Sequence, residues 1–280
     1  MRWKKGRRST NVEDRRGQRV GRGVKMGGGL TVVIAVAVLL LGGDPTTLLQ
    51  LAGESAPTQT RPPTAAENET ADFVRVVLGS TEDAWGEIFA SAGQTYREPT
   101  LVLFTDMVQS ACGMNSAATG PFYCPPDEKL YVDLGFFREL ERIGGAGDFA
   151  QAYVIGHEVG HHVQNLTGTS AAVRQAQARG GSQAEANRLS VLLELQADCY
   201  AGVWAHLMNR SGGETSLQSG DVEEGLRAAA AIGDDRLMRS AGRAANPESF
   251  THGSSEQRAS WLRRGLDTGS VEACDTFARQ

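Results

Sequence analysis

Apolar residues are spread unevenly along the chain, and their spacing divides it into four parts. Residues 1–26 are polar and cationic. Residues 27–43 contain no charged side chain, and a run of about 17 such residues is at the short end of a bilayer-spanning helix. Residues 44–70 are rich in Pro, Thr, Ala, Ser and Glu, which bury too little surface to offset the entropy of ordering, so a linker is predicted. Apolar residues then recur with helical spacing, and residues 71–280 are expected to form the folded domain.

Within that domain the pattern predicts two strands followed by helices. Residues 100–107 form an apolar strand-like run, and residues 129–134 alternate between apolar and polar side chains. After Phe137 the spacing is helical to the end of the chain. Four helices are expected to begin at a short polar residue followed three positions later by Glu or Gln: Asp148, Ser182, Asp221 and Ser254. The predicted fold class is therefore α+β, predominantly helical with a small β-sheet.

The charge distribution adds a membrane orientation to this picture. Residues 1–25 hold ten Lys or Arg against two acidic residues, a net charge of +8, and the remaining 18 basic and 31 acidic groups give −13. An acidic body argues against nucleic acid as the main partner. A disordered cytoplasmic tail at 1–26 is predicted, followed by a single-pass signal anchor at 27–43 that puts the domain on the extracytoplasmic side of the cell membrane. A cleaved signal peptide is the main alternative, although no A-x-A site follows the apolar run.

Four cysteines follow the apolar run, and an even number there suits disulfides in an oxidising compartment. The Pro- and Gly-rich loop between Cys112 and Cys124 favours a short bridge between these two residues. Cys199 and Cys274 then pair by exclusion. Buried free thiols are the alternative. The absence of a C-x-x-C motif argues against a four-thiolate zinc site or a redox motif.

The strongest chemical signal is an H-E-x-x-H motif at residues 157–161. Residues four apart lie on one helix face, so His157 and His161 are expected to reach one zinc ion, while Glu158 points toward the metal-bound water. Gly156 and Gly160 each cost about 1 kcal/mol of helix propensity relative to Ala, which indicates close approach by another element. The alternative is a pair of histidines that only cap or pack.

A hydrolytic zinc site has three protein ligands and a water, so a third residue is needed. Glu194 and Asp198 lie four apart in an otherwise apolar helical run, and buried carboxylates need partners. A metal would satisfy one of them and a histidine N–H the other. Three more candidates are His162, His206 and His252. His162 is turned about 100° away from His161 around the helix and is expected to pack, and His206 is expected to be structural.

The motif at 157–161, followed 33 residues after His161 by Glu194-x-x-x-Asp198, resembles the gluzincin pattern of thermolysin-like and CAAX-processing-type metallopeptidases. That resemblance implies Glu194 as the third ligand and Asp198 as the support of His157. Four segments together with the Gly-rich apolar run resemble the bacterial putative neutral zinc metallopeptidase family over nearly the whole chain: NVEDRRG at 11–17, GHEVGHHVQ at 156–164, ELQADCYAG at 194–202 and THG at 251–253.

The stretch 251–258 also resembles a T-H-P…R segment of the CAAX-type group, with Gly253 in place of the proline. His252 is therefore a candidate hydrogen-bond donor to the oxyanion of a tetrahedral intermediate, or else a residue of a loop or helix cap.

Together these resemblances imply a zincin-like metallopeptidase domain at 71–280 with one Zn²⁺ per chain. It would hydrolyse peptide bonds of a polypeptide substrate with metal-activated water, and Glu158 would be the general base. Two alternatives are a zinc-binding envelope scaffold without turnover and a peptidoglycan amidase. The substrate sequence and the oligomeric state are not defined by any of these patterns.

Overall fold

A computed structural model describes residues 1–18 and 62–278 of the chain. In these residues there are six strands and eight α-helices, and short 3₁₀ turns occur at 117–119, 247–249 and 272–274. The strands are β1 (Val12–Asp14), β2 (Thr100–Phe104), β3 (Met107–Ser110), β4 (Gly113–Ser116), β5 (Phe122–Cys124) and β6 (Lys129–Asp133). The helices are α1 (Ala65–Ser91), α2 (Gly135–Arg142), α3 (Asp148–Leu166), α4 (Thr169–Ala178), α5 (Gln183–Arg210), α6 (Asp221–Ala231), α7 (Asp234–Ser240) and α8 (Ser255–Thr268). The predicted α+β class with a mostly helical body is confirmed.

Four strands form one sheet in the order β1-β2-β6-β5. β1 and β6 run parallel to β2, with Val12 opposite Leu101 and Leu103 opposite Val132, and β5 runs antiparallel to β6. The last four residues of both β2 and β6 are buried, as expected for central strands covered on both faces. The strand predicted at 100–107 ends early, and its last residue opens the separate hairpin of β3 and β4.

The starts of the helices follow the capping rules only in part. Ser182 accepts a hydrogen bond from the Glu185 N–H, and Ser254 forms a complete capping box with Gln257. Asp148 and Asp221, by contrast, are the first residues of α3 and α6, and the caps are the preceding glycines. The carboxylate of Asp148 binds the Met1 amine at 2.6 and 2.7 Å, and one oxygen of Asp221 lies 3.3 Å from the same amine.

The core of the helical part is a close crossing of α3, α5 and α8, made possible by glycines. A Cβ on Gly156 would lie 2.6 Å from the ring of Trp204, and one on Gly160 would lie 2.9 Å from the Ala197 carbonyl oxygen. On the other side of α5, a Cβ on Gly265 would lie 2.0 Å from the Cys199 carbonyl oxygen. The close approach expected at Gly156 and Gly160 is therefore present, and it brings the 157–161 turn of α3 against the 194–198 turn of α5.

Residues 1–16 belong to the same compact unit as the chain from Thr64 onward. β1 lengthens the sheet, Arg7 binds the buried carboxylate of Glu82 at 2.9 Å, and Arg8 binds Asp72 at 2.6 Å. The expectation that this segment is disordered is therefore wrong for residues 1–16. The sequence interpretation counted its cations but not the acidic partners on α1. The folded domain also begins before residue 71, because Thr64 caps α1 with a capping box.

The expected membrane orientation, with a cytoplasmic N-terminus and an extracytoplasmic domain, stays a prediction. The predicted anchor at 27–43 and most of the predicted linker at 44–70 lie outside the described residues. Among residues 1–18 and 62–278, no helix has the length and apolar character needed to cross a bilayer.

The cysteine pairing predicted from the sequence is confirmed. Cys112, in the turn between β3 and β4, is bonded to Cys124 at the end of β5. Cys199 is bonded to Cys274 and ties the C-terminal segment to α5, one residue after Asp198.

Candidate metal centre

Three side chains from two helices meet where α3 crosses α5. The Nε2 atoms of His157 and His161 lie 3.1 Å apart. Glu194 brings one carboxylate oxygen to 3.2 Å from the Nε2 of His157 and the other to 3.4 Å from the Nε2 of His161. These three residues form one of the two clusters in the described chain whose donor atoms are close enough to share a metal ion.

Neighbouring side chains fix which nitrogen of each imidazole carries the proton. The Nδ1 of His157 lies 2.8 Å from an oxygen of Asp198, so this nitrogen donates. The Nδ1 of His161 lies 2.9 Å from the amide oxygen of Gln164, whose nitrogen is already directed at the Leu193 carbonyl at 2.7 Å. In the neutral rings both Nε2 atoms therefore present lone pairs toward the Glu194 carboxylate.

The geometry of these donors fits a zinc ion. Ligand atoms about 2.0–2.1 Å from a tetrahedral zinc are separated from one another by about 3.3 Å. The 3.1 Å between the two Nε2 atoms, and the 3.2 and 3.4 Å from these nitrogens to the two Glu194 oxygens, are close to that edge length. Imidazole nitrogens and one carboxylate oxygen are also the donors found in hydrolytic zinc sites. The residues present thus fit the metal that the H-E-x-x-H motif implies.

The pKa values show the same electrostatic environment. Burial lowers the pKa of His157, but the charges and hydrogen bonds of Asp198 and Glu194 outweigh burial and raise it to about 10. Burial likewise lowers the pKa of His161, and the carboxylates of Glu194 and Glu158 more than compensate, so its pKa is raised. The neighbouring carboxylates thus favour positive charge at these two imidazoles.

Asp198 is completely buried and lies at the centre of a hydrogen-bond network behind His157. Its Oδ1 accepts from the Tyr153 hydroxyl at 2.5 Å, and its Oδ2 accepts from the Arg258 Nε at 2.9 Å. Burial raises the pKa of Asp198, but the Arg258 and His157 charges outweigh burial and lower it. Asp198 stays ionised while its two oxygens are taken up by these donors.

Tyr153 and Arg258 were not predicted as site residues. Tyr153 precedes His157 by four positions and therefore lies on the same face of α3, which is a signal that the sequence contained. Arg258 lies four residues after the Ser254 cap of α8. Only the contact of α8 with α5 shows that its guanidinium is buried against Asp198.

Glu158 follows His157 on α3 and is buried. Its carboxylate is near enough to contribute to the raised pKa of His161, which places its charge beside the three donor atoms. The expectation that Glu158 faces the metal-bound water stays a prediction.

His252 lies in the loop before α8 and is outside the group of three donors. Its Nδ1 lies 3.2 Å from an oxygen of Asp234, and the side chain is 53% exposed. The other Asp234 oxygen accepts the backbone N–H groups of Thr251 and His252, both at 2.7 Å. Asp234 raises the pKa of His252, and the negative charge of Glu194 adds to the effect. The sequence analysis did not identify Asp234, which opens α7 and resembles an ordinary first-turn acid.

The other two histidines are structural, as predicted. His162 is completely buried, with Nδ1 3.0 Å from the Tyr123 hydroxyl and Nε2 2.6 Å from the Arg97 carbonyl oxygen. His206 is hydrogen-bonded to the Leu266 carbonyl oxygen at 2.8 Å.

Comparison with known proteins places the chain in a family. The chain is 47% identical over 291 aligned residues to "Uncharacterized protein YpfJ" of Escherichia coli K12, an alignment that covers 100% of this chain and 99% of the relative. It is 41% identical over 214 residues to "Uncharacterized protein Mb2605" of Mycobacterium bovis, covering 72% of this chain and 69% of the relative. No solved structure matches the chain. The family model described as "Putative neutral zinc metallopeptidase" matches residues 1–277, and the chain therefore belongs to that family.

Proposed function

We propose that the protein is a zinc-dependent endopeptidase that binds one Zn²⁺ through His157, His161 and Glu194. One observation carries the proposal. The Nε2 atoms of His157 and His161 lie 3.1 Å apart and each faces one oxygen of the Glu194 carboxylate, at 3.2 and 3.4 Å, while both Nδ1 atoms of the histidines are used elsewhere. Three lone pairs at these separations repel one another unless a cation or proton lies among them.

Zinc bound there would supply a water of lowered pKa and would polarise the scissile carbonyl. Each protein group has a separate task. Asp198 and Gln164 hold the Nδ1 protons and so fix the ring orientations. Glu158 accepts the proton of the attacking water and delivers it to the leaving amine. Two histidines and one glutamate are the ligand set of hydrolytic zinc sites, and a zinc held by them would have room for that water as a further ligand.

His252 is proposed to stabilise the oxyanion, with Asp234 as the residue that positions it. The hydrogen bond from Nδ1 to Asp234 leaves Nε2 as the second donor of the imidazolium. The raised pKa favours that charged form. The polypeptide substrate is proposed because the supported reaction class is peptide hydrolysis.

The two disulfides support an oxidising compartment for the folded unit. Since residues 1–16 pack on the chain after residue 64, we propose that both parts share that compartment.

Metal analysis and proteolysis by the full chain test the proposal. Wild type should hold one zinc and cleave an unfolded protein, and a chelator should abolish cleavage. His157→Ala, His161→Ala and Glu194→Ala should each lose the zinc. Glu158→Gln should keep the zinc and lose hydrolysis. A full complement of zinc in Glu194→Ala would refute the ligand assignment.

His206→Ala serves as the matched control, because it removes an imidazole bound to a backbone carbonyl away from the three donors. It should keep both zinc and activity. Asp198→Asn should weaken zinc binding by about 10–100-fold without abolishing it, as expected for a residue that orients a ligand. Complete loss of zinc in Asp198→Asn would make Asp198 itself a ligand.

A further inference from the structure

The two histidine ligands are held in different ways. His157 donates to a carboxylate that is paired with a buried arginine. His161 donates to the neutral side chain of Gln164, which is completely buried one turn after it on α3. What holds Gln164 therefore determines how firmly His161 is oriented.

Gln164 begins a chain of buried amides. Its nitrogen donates to the Leu193 carbonyl oxygen at 2.7 Å and to the side-chain oxygen of Gln196 at 3.1 Å. The Gln196 nitrogen donates in turn to the backbone carbonyl oxygen of Cys274 at 3.3 Å. Gln196 is 6% exposed and Cys274 is completely buried. Water therefore cannot easily take the place of these partners, and loss of one of the hydrogen bonds costs free energy.

The chain has a direction. The carbonyl oxygens of Leu193 and Cys274 only accept, so each glutamine must turn its nitrogen toward them and its oxygen toward the preceding group. The oxygen of Gln164 then faces His161 and requires a proton on its Nδ1. The opposite ring tautomer would oppose a lone pair to that oxygen, and its N–H would point into the donor cluster.

The last acceptor of the chain depends on a covalent bond. Cys274 is joined to Cys199 on α5, and two residues later the Thr276 hydroxyl donates to the Leu192 carbonyl oxygen at 2.6 Å. The C-terminal segment thus lies along the turn of α5 that carries Glu194. Without the disulfide, the Cys274 carbonyl would be held by noncovalent contacts only.

We infer that Gln164 and Gln196 are positioning residues that transmit the placement of the disulfide-bound C-terminal segment to the second zinc ligand, His161. The inference rests on the proposed zinc site and extends it to two glutamines that the H-E-x-x-H motif does not include. It predicts that zinc affinity depends on the Cys199–Cys274 bond and does not depend on the Cys112–Cys124 bond.

The test is the zinc affinity of the full chain, measured by competition with a chromophoric chelator, together with the melting temperature of the zinc-free protein. Gln164→Met, which is similar in size but makes none of the three hydrogen bonds, should bind zinc about 10–100-fold more weakly. Gln164→Glu keeps an acceptor for His161 and should bind zinc more tightly than Gln164→Met. Gln196→Met should weaken binding less, and in combination with Gln164→Met it should add little.

Gln177→Met is the matched control. Gln177 also donates to a backbone carbonyl and a side-chain oxygen of α5, at 2.9 and 3.0 Å, but it does not contact an imidazole. It should keep the wild-type zinc affinity.

For the disulfides, Cys199→Ala/Cys274→Ala should lower zinc affinity. Cys112→Ala/Cys124→Ala should leave it unchanged.

Wild-type affinity in Gln164→Met would overturn the inference, and so would an equal loss in Gln177→Met. If wild type is inhibited by a chelator and Gln164→Met keeps the wild-type zinc affinity, only the positioning role of the two glutamines is refuted. If wild type binds no zinc, the proposed function and this positioning role are both refuted. The zinc-free melting temperatures separate loss of positioning from loss of folding. If the loss of zinc affinity in a variant is fully explained by the lower stability of its zinc-free form, that result counts against the inference.

Discussion

Replacement of Gly160 by alanine adds one methyl group at the crossing of α3 and α5. The new Cβ would lie 2.9 Å from the Ala197 carbonyl oxygen, 3.0 Å from its Cα and 3.2 Å from its Cβ. The nearest two of these atoms are backbone, so no flexible side chain can move away. Ordinary contact begins near 3.4 Å, and the helices must therefore separate by about 0.5 Å.

The separation has two measurable effects of different origin. Alanine favours a helix by about 1 kcal/mol over glycine, but forcing a methyl group into a filled contact costs about 1–3 kcal/mol, so the variant should lose about 0–2 kcal/mol of unfolding free energy. The proposed zinc ligands lie on the two helices that move apart. Metal–ligand distances tolerate about 0.2 Å, so a shift of about 0.5 Å should lower zinc affinity by about tenfold or more.

Gly86→Ala is the matched control, because Gly86 is inside α1 and a Cβ there meets nothing within 4 Å. It should gain about 1 kcal/mol of stability and keep its zinc affinity. Urea unfolding of the zinc-free proteins gives the stabilities, and chelator competition gives the affinities. If Gly160→Ala matched Gly86→Ala in both measurements, the close crossing would not set the geometry of the site.

Three further changes test other parts of the structure. Arg258→Met leaves the Asp198 carboxylate buried without its guanidinium and should cost about 3–5 kcal/mol in urea unfolding, with weaker zinc binding; an effect below about 1 kcal/mol would contradict the network. Deletion of residues 1–16 removes the partners of the buried Glu82 carboxylate and should lower the unfolding free energy by several kcal/mol, restored in part by adding the 1–16 peptide; an unchanged melting temperature would speak against this packing. The pKa of His252 is raised in the folded state, so its ion pair with Asp234 stabilises the fold fully below the unfolded pKa of about 6.5. This stabilisation is lost as the pH rises through the folded pKa. The melting temperatures of wild type and His252→Ala should therefore converge at alkaline pH. The difference should be small throughout because the pair is half-exposed, and divergence toward alkaline pH would refute the assignment.

The local elements of the site were predictable because the sequence carries them at short range. Helical spacing of four puts His157 with His161 and Glu194 with Asp198, and the structure keeps both pairs on the faces expected. The bridge between Cys112 and Cys124 was predictable for the same reason, since only a short loop separates them.

The residues missed are those whose partners come from distant segments. The contact of Arg258 with Asp198 depends on the glycines that let α8 approach α5, and no periodicity encodes that crossing. The ten cations of residues 1–25 favoured a disordered tail in the sequence, because the net charge of a segment does not show whether acidic partners exist elsewhere in the chain. Here Glu82 and Asp72 on α1 supply those acids to Arg7 and Arg8.

The edge position of β1 has a consequence for the order of folding. Its pairing joins Val12 to Leu101, residues 89 positions apart, in a parallel arrangement. Contacts of such long sequence separation form late, because the entropy of closing the loop must be overcome before the pairing stabilises anything. We therefore expect β1 to be among the last elements to dock. Substitutions at its contacts should accelerate unfolding while leaving the refolding rate nearly unchanged.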